Sequence, residues 1–210
     1  GIRARSPSRG LGDVYKRQVT VVGAPCATPV LRRDKARSGD VVAVTGHLGC
    51  SAAGLRIITE NLSLPDNVKE HFANSHSRPI PQIDIGASLA VQGIECAMDV
   101  SDGLLNDLSK ICVASNVSAN VFVNDLPVHE HLRTYFPDIW DQLAVGGGED
   151  YELLFTIPEE LKDRISQNPN SGFKIIGTIT EGNEGVKVIG PDGALKDYST
   201  GGWDHFKEQA

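Results

Sequence analysis

The sequence predicts an α+β domain of layered α/β type, in which helices pack on a mixed β-sheet. Short apolar runs such as DVVAVT (40–45) and YELLFTI (151–157) have the length of buried strands. Amphipathic stretches of ten or more residues separate most of these runs, and this alternation is typical of a layered domain. With 40% hydrophobic and 22% charged residues, the composition is that of an ordinary globular protein.

The strands are predicted where apolar runs are bounded by glycine, proline or asparagine. By this criterion they cover residues 19–23, 40–45, 94–100, 117–126, 151–157, 173–180 and 185–190. The helices are predicted where apolar residues recur at helical spacing after a glycine turn, a serine or a proline. They cover residues 46–61, 65–76, 83–93, 101–116, a proline-started stretch from 127 to about 143, and 158–167.

Charge and cysteine content exclude several classes of protein. Twenty basic against 27 acidic residues give a net charge of −7, which argues against a nucleic-acid or anionic-membrane surface. No apolar stretch approaches the roughly 18 residues of a membrane span, and the N-terminus has no apolar signal core. Four cysteines without metal-site or CxxC spacing predict reduced thiols and a cytoplasmic location, although sequence alone leaves a disulfide open.

The first eighteen residues differ from the rest of the chain. Residues 1–18 have five basic residues, one acid and no periodic apolar face, and GLGDVYKRQ resembles translated adaptor sequence. We expect a non-native or disordered leader, with a basic nucleic-acid tail as the alternative. Residues 19–30 are predicted to be a strand and a proline-marked linker, and residues 31–210 form the predicted α+β domain.

The string DVSDG follows a predicted strand and opens a predicted helix. Asp99, Ser101 and Asp102 therefore lie at the carboxyl end of a strand, where open α/β sheets place ligands. Two carboxylates three residues apart can approach one Mg²⁺ ion, and the serine hydroxyl can reach a phosphate. The alternative is structural, with Ser101 or Asp102 as the helix N-cap and Asp99 as a polar strand end.

A second candidate is the loop GGGED, between a predicted helix and a strand. Three glycines allow close backbone approach to a ligand, and Glu149 offers a carboxylate to a cationic or hydrogen-bonding substrate. The alternative is a flexible turn with solvated acids. The loop lacks the lysine and the following helix of a phosphate-binding P-loop.

Other segments have both functional and structural interpretations. The glycine turn and small-residue helix of residues 45–55 could face an anion or only pack closely. Arg32 and Arg33 could bind phosphate or be solvated, and Trp203 could stack on a ligand or anchor the terminus. The histidines show no ligand spacing, and four are predicted at the surface: His71, His76, His129 and His131.

Five strings occur in an order that resembles the C-terminal part of the thiamine-monophosphate kinase family, in the superfamily of aminoimidazole-ribonucleotide synthetase and selenophosphate synthetase. They are LRRDKARSGD, VTGHLGCSAAGL, CAMDVSDGLLNDL, GGGEDYELLFT and GGWDHF. The resemblance covers about residues 19–210 and implies ATP- and Mg²⁺-dependent phosphorylation of thiamine monophosphate to thiamine diphosphate. It implies Asp99 and Asp102 as metal ligands, Ser101 and Arg33 as ATP contacts, and Glu149 and Trp203 as substrate contacts.

The resemblance also implies what this chain lacks. The family's N-terminal ATP-binding half, which holds further metal-binding aspartates and the homodimer interface, has no counterpart here, and residues 19–30 resemble its last strand and linker. We therefore expect the chain to be inactive by itself and a homodimer only as part of a full-length enzyme. No residue is assigned as a general base. The alternatives are another ATP-dependent synthetase of the superfamily and a non-catalytic binding module.

Overall fold

The computed structural model of the chain describes residues 29–166 and 172–198. In these residues seven helices pack around one sheet of seven strands. The strands are β1 Val41–Thr45, β2 Ala97–Asp99, β3 Ser118–Phe122, β4 Leu153–Ile157, β5 Phe173–Thr180, β6 Val186–Ile189 and β7 Leu195–Lys196. The helices are α1 Cys50–Glu60, α2 Asp66–Ser77, α3 Ile83–Val91, α4 Leu104–Ser115, α5 Glu130–Tyr135, α6 Trp140–Gly146 and α7 Glu159–Ser166.

The sheet is mixed, as the sequence predicts. Its strand order is β2-β4-β1-β5-β3-β6-β7, and β3 and β6 form the parallel pair while the other described pairs are antiparallel. Strand β1 is central and buried along its whole length, which accounts for its uninterrupted apolar sequence. Successive residues of β1 point to opposite faces of the sheet and belong to two hydrophobic clusters. Val42 and Val44 are in the cluster that contains α4, whereas Val41 and Ala43 are in the cluster that contains Leu89 of α3.

Most predicted elements are present, and the differences have local causes. The stretch predicted as one helix up to residue 143 is two helices, α5 and α6, since Pro137 disfavours helical backbone at Phe136 and cannot donate a hydrogen bond. Strand β4 begins two residues later than predicted because Tyr151 has a left-handed φ of 53°. Strand β7, which follows the PDG turn, was not predicted. The predicted strand at 19–23 lies outside the described residues.

The membrane prediction concerns helix length and polarity. Among the residues that the structure describes, no helix is both long enough and apolar enough to cross a bilayer. The cysteines in the described ranges, Cys50, Cys96 and Cys112, are buried free thiols.

Candidate functional site

Two loops that are about 50 residues apart in the sequence are joined by their backbones. They are the β2–α4 loop (residues 100–103) and the α6–β4 loop (residues 147–152). Glu149 N–H donates to Ser101 O (2.9 Å) and Tyr151 N–H donates to Val100 O (2.9 Å). In return, Val100 N–H donates to Glu152 O (2.8 Å). The structure therefore brings DVSDG and GGGED, two of the sequence candidates, into one site.

Glycines make this contact between the two loops possible. A Cβ atom at Gly148 would lie 2.6 Å from Ser101 O, and one at Gly103 would lie 2.8 Å from Gly146 O. Real Cβ atoms do not approach a carbonyl oxygen so closely. The glycines of both motifs thus serve the approach of one backbone to the other.

Replacing Gly103 by alanine is expected to lower the free energy of unfolding by about 3 kcal/mol. Alanine would be strained at φ +104°, and its Cβ would push the α6–β4 loop away. Gly193→Ala is the matched control, because Gly193 has φ +77° with open space around it, and we expect a loss of about 1 kcal/mol. Urea unfolding of the two variants checks this; equal losses would show that the loop contact adds nothing.

A buried carboxylate that the sequence analysis missed shapes the β2–α4 loop. Asp107 is fully buried, and its Oδ2 atom accepts the N–H groups of Ser101 and Asp102, both at 2.9 Å. Its Oδ1 atom accepts from Lys110 Nζ at 2.6 Å. The sequence pattern could have identified Asp107 as a buried acid, because it lies on the apolar face of α4 between Leu104 and Leu108, where a buried side chain is expected.

The N-cap alternative for DVSDG is wrong. The N-cap of α4 is Gly103, and no side chain caps this helix. The side chain of Asp102 instead forms an ion pair with Lys110, with both side chains about one-third exposed. Asp99 is exposed at the end of β2.

The negative charges of three predicted site acids act on one partly exposed phenol. The pKa of Tyr151 is raised, mainly by burial and further by the negative charges of Glu149, Asp99 and Asp102. These carboxylates therefore share one electrostatic environment at the junction of the two loops. A concentration of acids at an exposed edge favours a cationic ligand or a metal ion.

The acids of the GGGED loop do not share one environment. Glu149 is exposed and has a left-handed φ of 64°, whereas Asp150 is buried. Asp150 accepts from Gly49 N (2.7 Å) and Ser51 N (2.9 Å) at the start of α1. The anion that faces this helix start is thus a carboxylate of the protein itself, and the solvated-acid alternative is wrong for Asp150.

Burial raises the pKa of Asp150 to about 7, although the hydrogen bonds from the Gly49 and Ser51 N–H groups act in the opposite direction and lower it. In an unfolded chain the same carboxyl has a pKa of about 3.9. The folded state therefore binds this proton more tightly, and this group's contribution to stability is largest at low pH and falls as the pH rises from about 4 to about 7.

The variant Asp150→Asn removes this titration. We expect the stability of the wild-type chain, relative to the variant, to decrease between pH 4.5 and pH 7 and to level off above about pH 7.5. Urea unfolding at half-unit pH intervals measures the difference. A difference that rises with pH would show that the Asp150 carboxylate is stabilised, rather than destabilised, by its surroundings.

Of the predicted site residues that the structure describes, Arg33 is not brought into this arrangement. Arg33 is exposed, and its carbonyl accepts from Ser115 Oγ (3.1 Å) at the C-terminal end of α4, whereas Ser101 and Asp102 precede its N-terminal end. Twelve helical residues separate the two ends by roughly 18 Å. Trp203 lies outside the described residues.

The donor set agrees in kind with Mg²⁺, which binds carboxylate oxygens and commonly takes only one or two carboxylates together with substrate phosphates. Asp99 and Asp102 offer this number. Within residues 29–166 and 172–198, no three histidine, cysteine or acidic side chains are arranged to hold a metal ion. The chain thus fits a partial metal site, completed by phosphate oxygens or by ligands from elsewhere.

The surface prediction for the histidines is wrong in part, and this includes His76, whose side chain is only 21% exposed. His71, His129 and His131 are half-buried and in mutual contact, with ring centroids 4.1 Å apart for His71 and His129 and 4.6 Å apart for His129 and His131. Burial lowers the pKa of His71 and of His129. Because α2 packs against the segment that precedes α5, residues distant in sequence meet here.

The family model described as AIR synthase related protein, C-terminal domain, matches residues 37–189. Among curated proteins, the chain is 38% identical over 183 residues to thiamine-monophosphate kinase of Haemophilus influenzae, covering 84% of this chain and 55% of the relative. It is 32% identical over 195 residues to that of Bacillus subtilis, covering 90% and 59%. The chain thus spans little more than half the length of these relatives.

Solved structures show the same similarity. AaThiL complexed with AMPPCP and TMP superposes with a TM-score of 0.72 at 34% identity, covering 85% of this chain and 55% of that one. Thiamine-monophosphate kinase from Stenotrophomonas maltophilia gives 0.69 at 35% identity, covering 79% and 54%. Escherichia coli HypE, a hydrogenase maturation protein, is 18% identical with a TM-score of 0.64, covering 84% and 53%, and shares the fold alone.

Proposed function

The chain belongs to the family of AIR synthase related proteins, C-terminal domain, and we propose that it is the C-terminal half of an ATP-dependent thiamine-monophosphate kinase. The observation that carries this proposal is the backbone junction of the β2–α4 and α6–β4 loops, where the negative charges of Asp99, Asp102 and Glu149 act together on Tyr151. It occurs in a chain 32–38% identical to thiamine-monophosphate kinases. A related structure holds AMPPCP, an ATP analogue, together with TMP.

Phosphoryl transfer requires charge neutralisation and in-line positioning more than covalent chemistry. Asp99 and Asp102 would hold Mg²⁺, which when bound neutralises the charge of ATP phosphates. Ser101, whose backbone is fixed by Asp107, would turn its hydroxyl towards the nucleotide. A phosphate oxygen of the acceptor is already ionised near neutral pH, so no general base is assigned.

The proposed acceptor carries a positive charge. The thiazolium ring of thiamine is cationic and aromatic, so a carboxylate and an indole are chemically suited to bind it. Glu149 is the exposed acid of the GGGED loop, and Trp203 is the proposed aromatic partner. Arg33 is the proposed ATP contact; because it lies at the far end of α4, it would meet a different part of the nucleotide from Ser101.

We divide the chain into residues 1–18 as a leader, residues 19–30 as the last strand and linker of an N-terminal ATP-binding half, and residues 31–210 as the C-terminal domain. The full-length enzyme is proposed to be a homodimer, and this chain alone to be inactive or nearly so. Buried free thiols at Cys50, Cys96 and Cys112 are compatible with the proposed cytoplasmic location.

The test compares the chain with the full-length protein, extended upstream through the N-terminal half. We expect ATP- and Mg²⁺-dependent formation of thiamine diphosphate by the full-length protein and little or none by residues 19–210. Offering other phosphate acceptors in parallel identifies a different synthetase of the superfamily. Absence of nucleotide binding by a folded full-length protein would show a non-catalytic module, and robust turnover by the chain alone would overturn the proposed division.

A further inference from the structure

His76 connects a buried serine to Glu149, the exposed acid of the GGGED loop. Its Nδ1 atom lies 2.9 Å from Ser51 Oγ and 3.5 Å from Glu149 Oε2. The serine is fully buried, and its backbone N–H is held by Asp150. The carboxylate of Glu149 is thus next to a side chain that is itself anchored in the protein interior.

Close packing of α2 on α1 places His76 there. A Cβ atom at Gly54 of α1 would lie 2.1 Å from Phe72 O and 3.0 Å from the Cβ of His76. Only glycine lets α2 approach so near, and Phe72 then fills the core between the helices. The position of His76 over Ser51 is therefore set by the packing of the two helices.

The two oxygens around Nδ1 determine where the imidazole proton lies. A carboxylate can only accept hydrogen bonds, and a lone pair on Nδ1 would face the negative charge of Glu149. Ser51 Oγ, 2.9 Å away, can either donate to Nδ1 or accept from it, so the nearby carboxylate of Glu149 decides between the tautomers. We assign the proton to Nδ1, from which it is donated to Ser51 Oγ with the Glu149 carboxylate 3.5 Å from the same nitrogen.

We propose that His76 is a positioning residue for Glu149 in the binding of thiamine monophosphate, an inference that rests on the function proposed above. The side chain of Glu149 is 55% exposed, so a fixed partner is needed to keep it in one orientation. The Nδ1–H group of His76 supplies that partner and passes the constraint on to Ser51. Preorganised charges bind a ligand better than mobile ones because less ordering is required on binding.

The experiment uses the full-length protein and steady-state kinetics. His76→Ala is expected to raise KM for thiamine monophosphate about tenfold, with kcat and KM for ATP changed less than about twofold. His76→Asn should stay within about threefold of wild type, because its amide nitrogen can replace Nδ1–H. Asn74→Ala, at an exposed position on the same helix, is the control and should have no effect.

A double-mutant cycle with Glu149→Gln separates the possible outcomes. If His76 acts through Glu149, the double variant has the same KM as Glu149→Gln alone. Additive effects, or a normal KM for His76→Ala, would overturn the positioning role. A normal KM for Glu149→Gln would instead overturn the substrate role of Glu149. Nitrogen-15 NMR of the histidines in the chain provides a measurement independent of activity, since a proton on Nε2 and none on Nδ1 contradicts the proposal.

Discussion

Replacing Asp102 by asparagine is expected to lower kcat/KM of the full-length enzyme about 10³-fold. The neutral amide would remove one of the two carboxylates proposed to bind Mg²⁺, and phosphoryl transfer depends on the neutralisation of phosphate charge. Initial rates of thiamine diphosphate formation at several low concentrations of thiamine monophosphate, with ATP and Mg²⁺ in excess, measure the effect. Asp99→Asn should show a loss of similar size, because both acids lie at the same junction.

The expected effect of Asp102→Asn on folding is small. Its ion pair with Lys110 joins side chains that are 37% and 34% exposed, and such pairs contribute less than about 1 kcal/mol. A large kinetic loss at nearly unchanged stability therefore distinguishes a ligand from a structural acid. Asp163→Asn, at an exposed position on α7, is the matched control and should be normal in both measurements. Wild-type kinetics for Asp102→Asn would remove Asp102 from the metal site.

Local sequence signals were sufficient for much of the fold. Strand β1 was predicted from its continuous apolar run and helix α4 from the spacing of its apolar residues. Both patterns lie within a single element, and both elements are observed. The convergence of DVSDG with GGGED was not predictable from spacing alone, because it depends on the pairing of β2 with β4. Both motifs contributed to the family resemblance, but the contact between them arises only when the chain folds.

The positioning residues of the site were missed for the same reason. His76 has no neighbour in the sequence that suggests a role, and its partners Ser51 and Glu149 are 25 and 73 positions away. The sequence around Asp107 did indicate something unusual, because a charged residue on the apolar face of a helix is seldom buried without a partner. The conflict is resolved only by the N–H groups of the preceding loop and by Lys110.

Asp107→Asn is expected to lower the free energy of unfolding of this chain by about 3 kcal/mol. Asparagine has nearly the same volume, so no cavity forms, but it offers one oxygen where the aspartate uses two. If that oxygen accepts from Ser101 and Asp102, the amide group faces the ammonium of Lys110; if it faces Lys110, the amide group confronts two N–H donors. Urea unfolding of the chain measures the loss, and activity of the full-length protein should fall with it.

Asp102→Asn is the control that isolates the cause of this loss. Both substitutions remove a carboxylate partner of Lys110, but only Asp107→Asn disturbs the acceptor of the two loop N–H groups. A loss of about 3 kcal/mol for Asp107 against less than about 1 kcal/mol for Asp102 would therefore assign the stability to the buried contacts of Asp107 rather than to the mere loss of one carboxylate partner of Lys110. Equal small losses would mean that the loop keeps its shape without Asp107. The junction with GGGED would then depend on the strand pairing and the glycines alone.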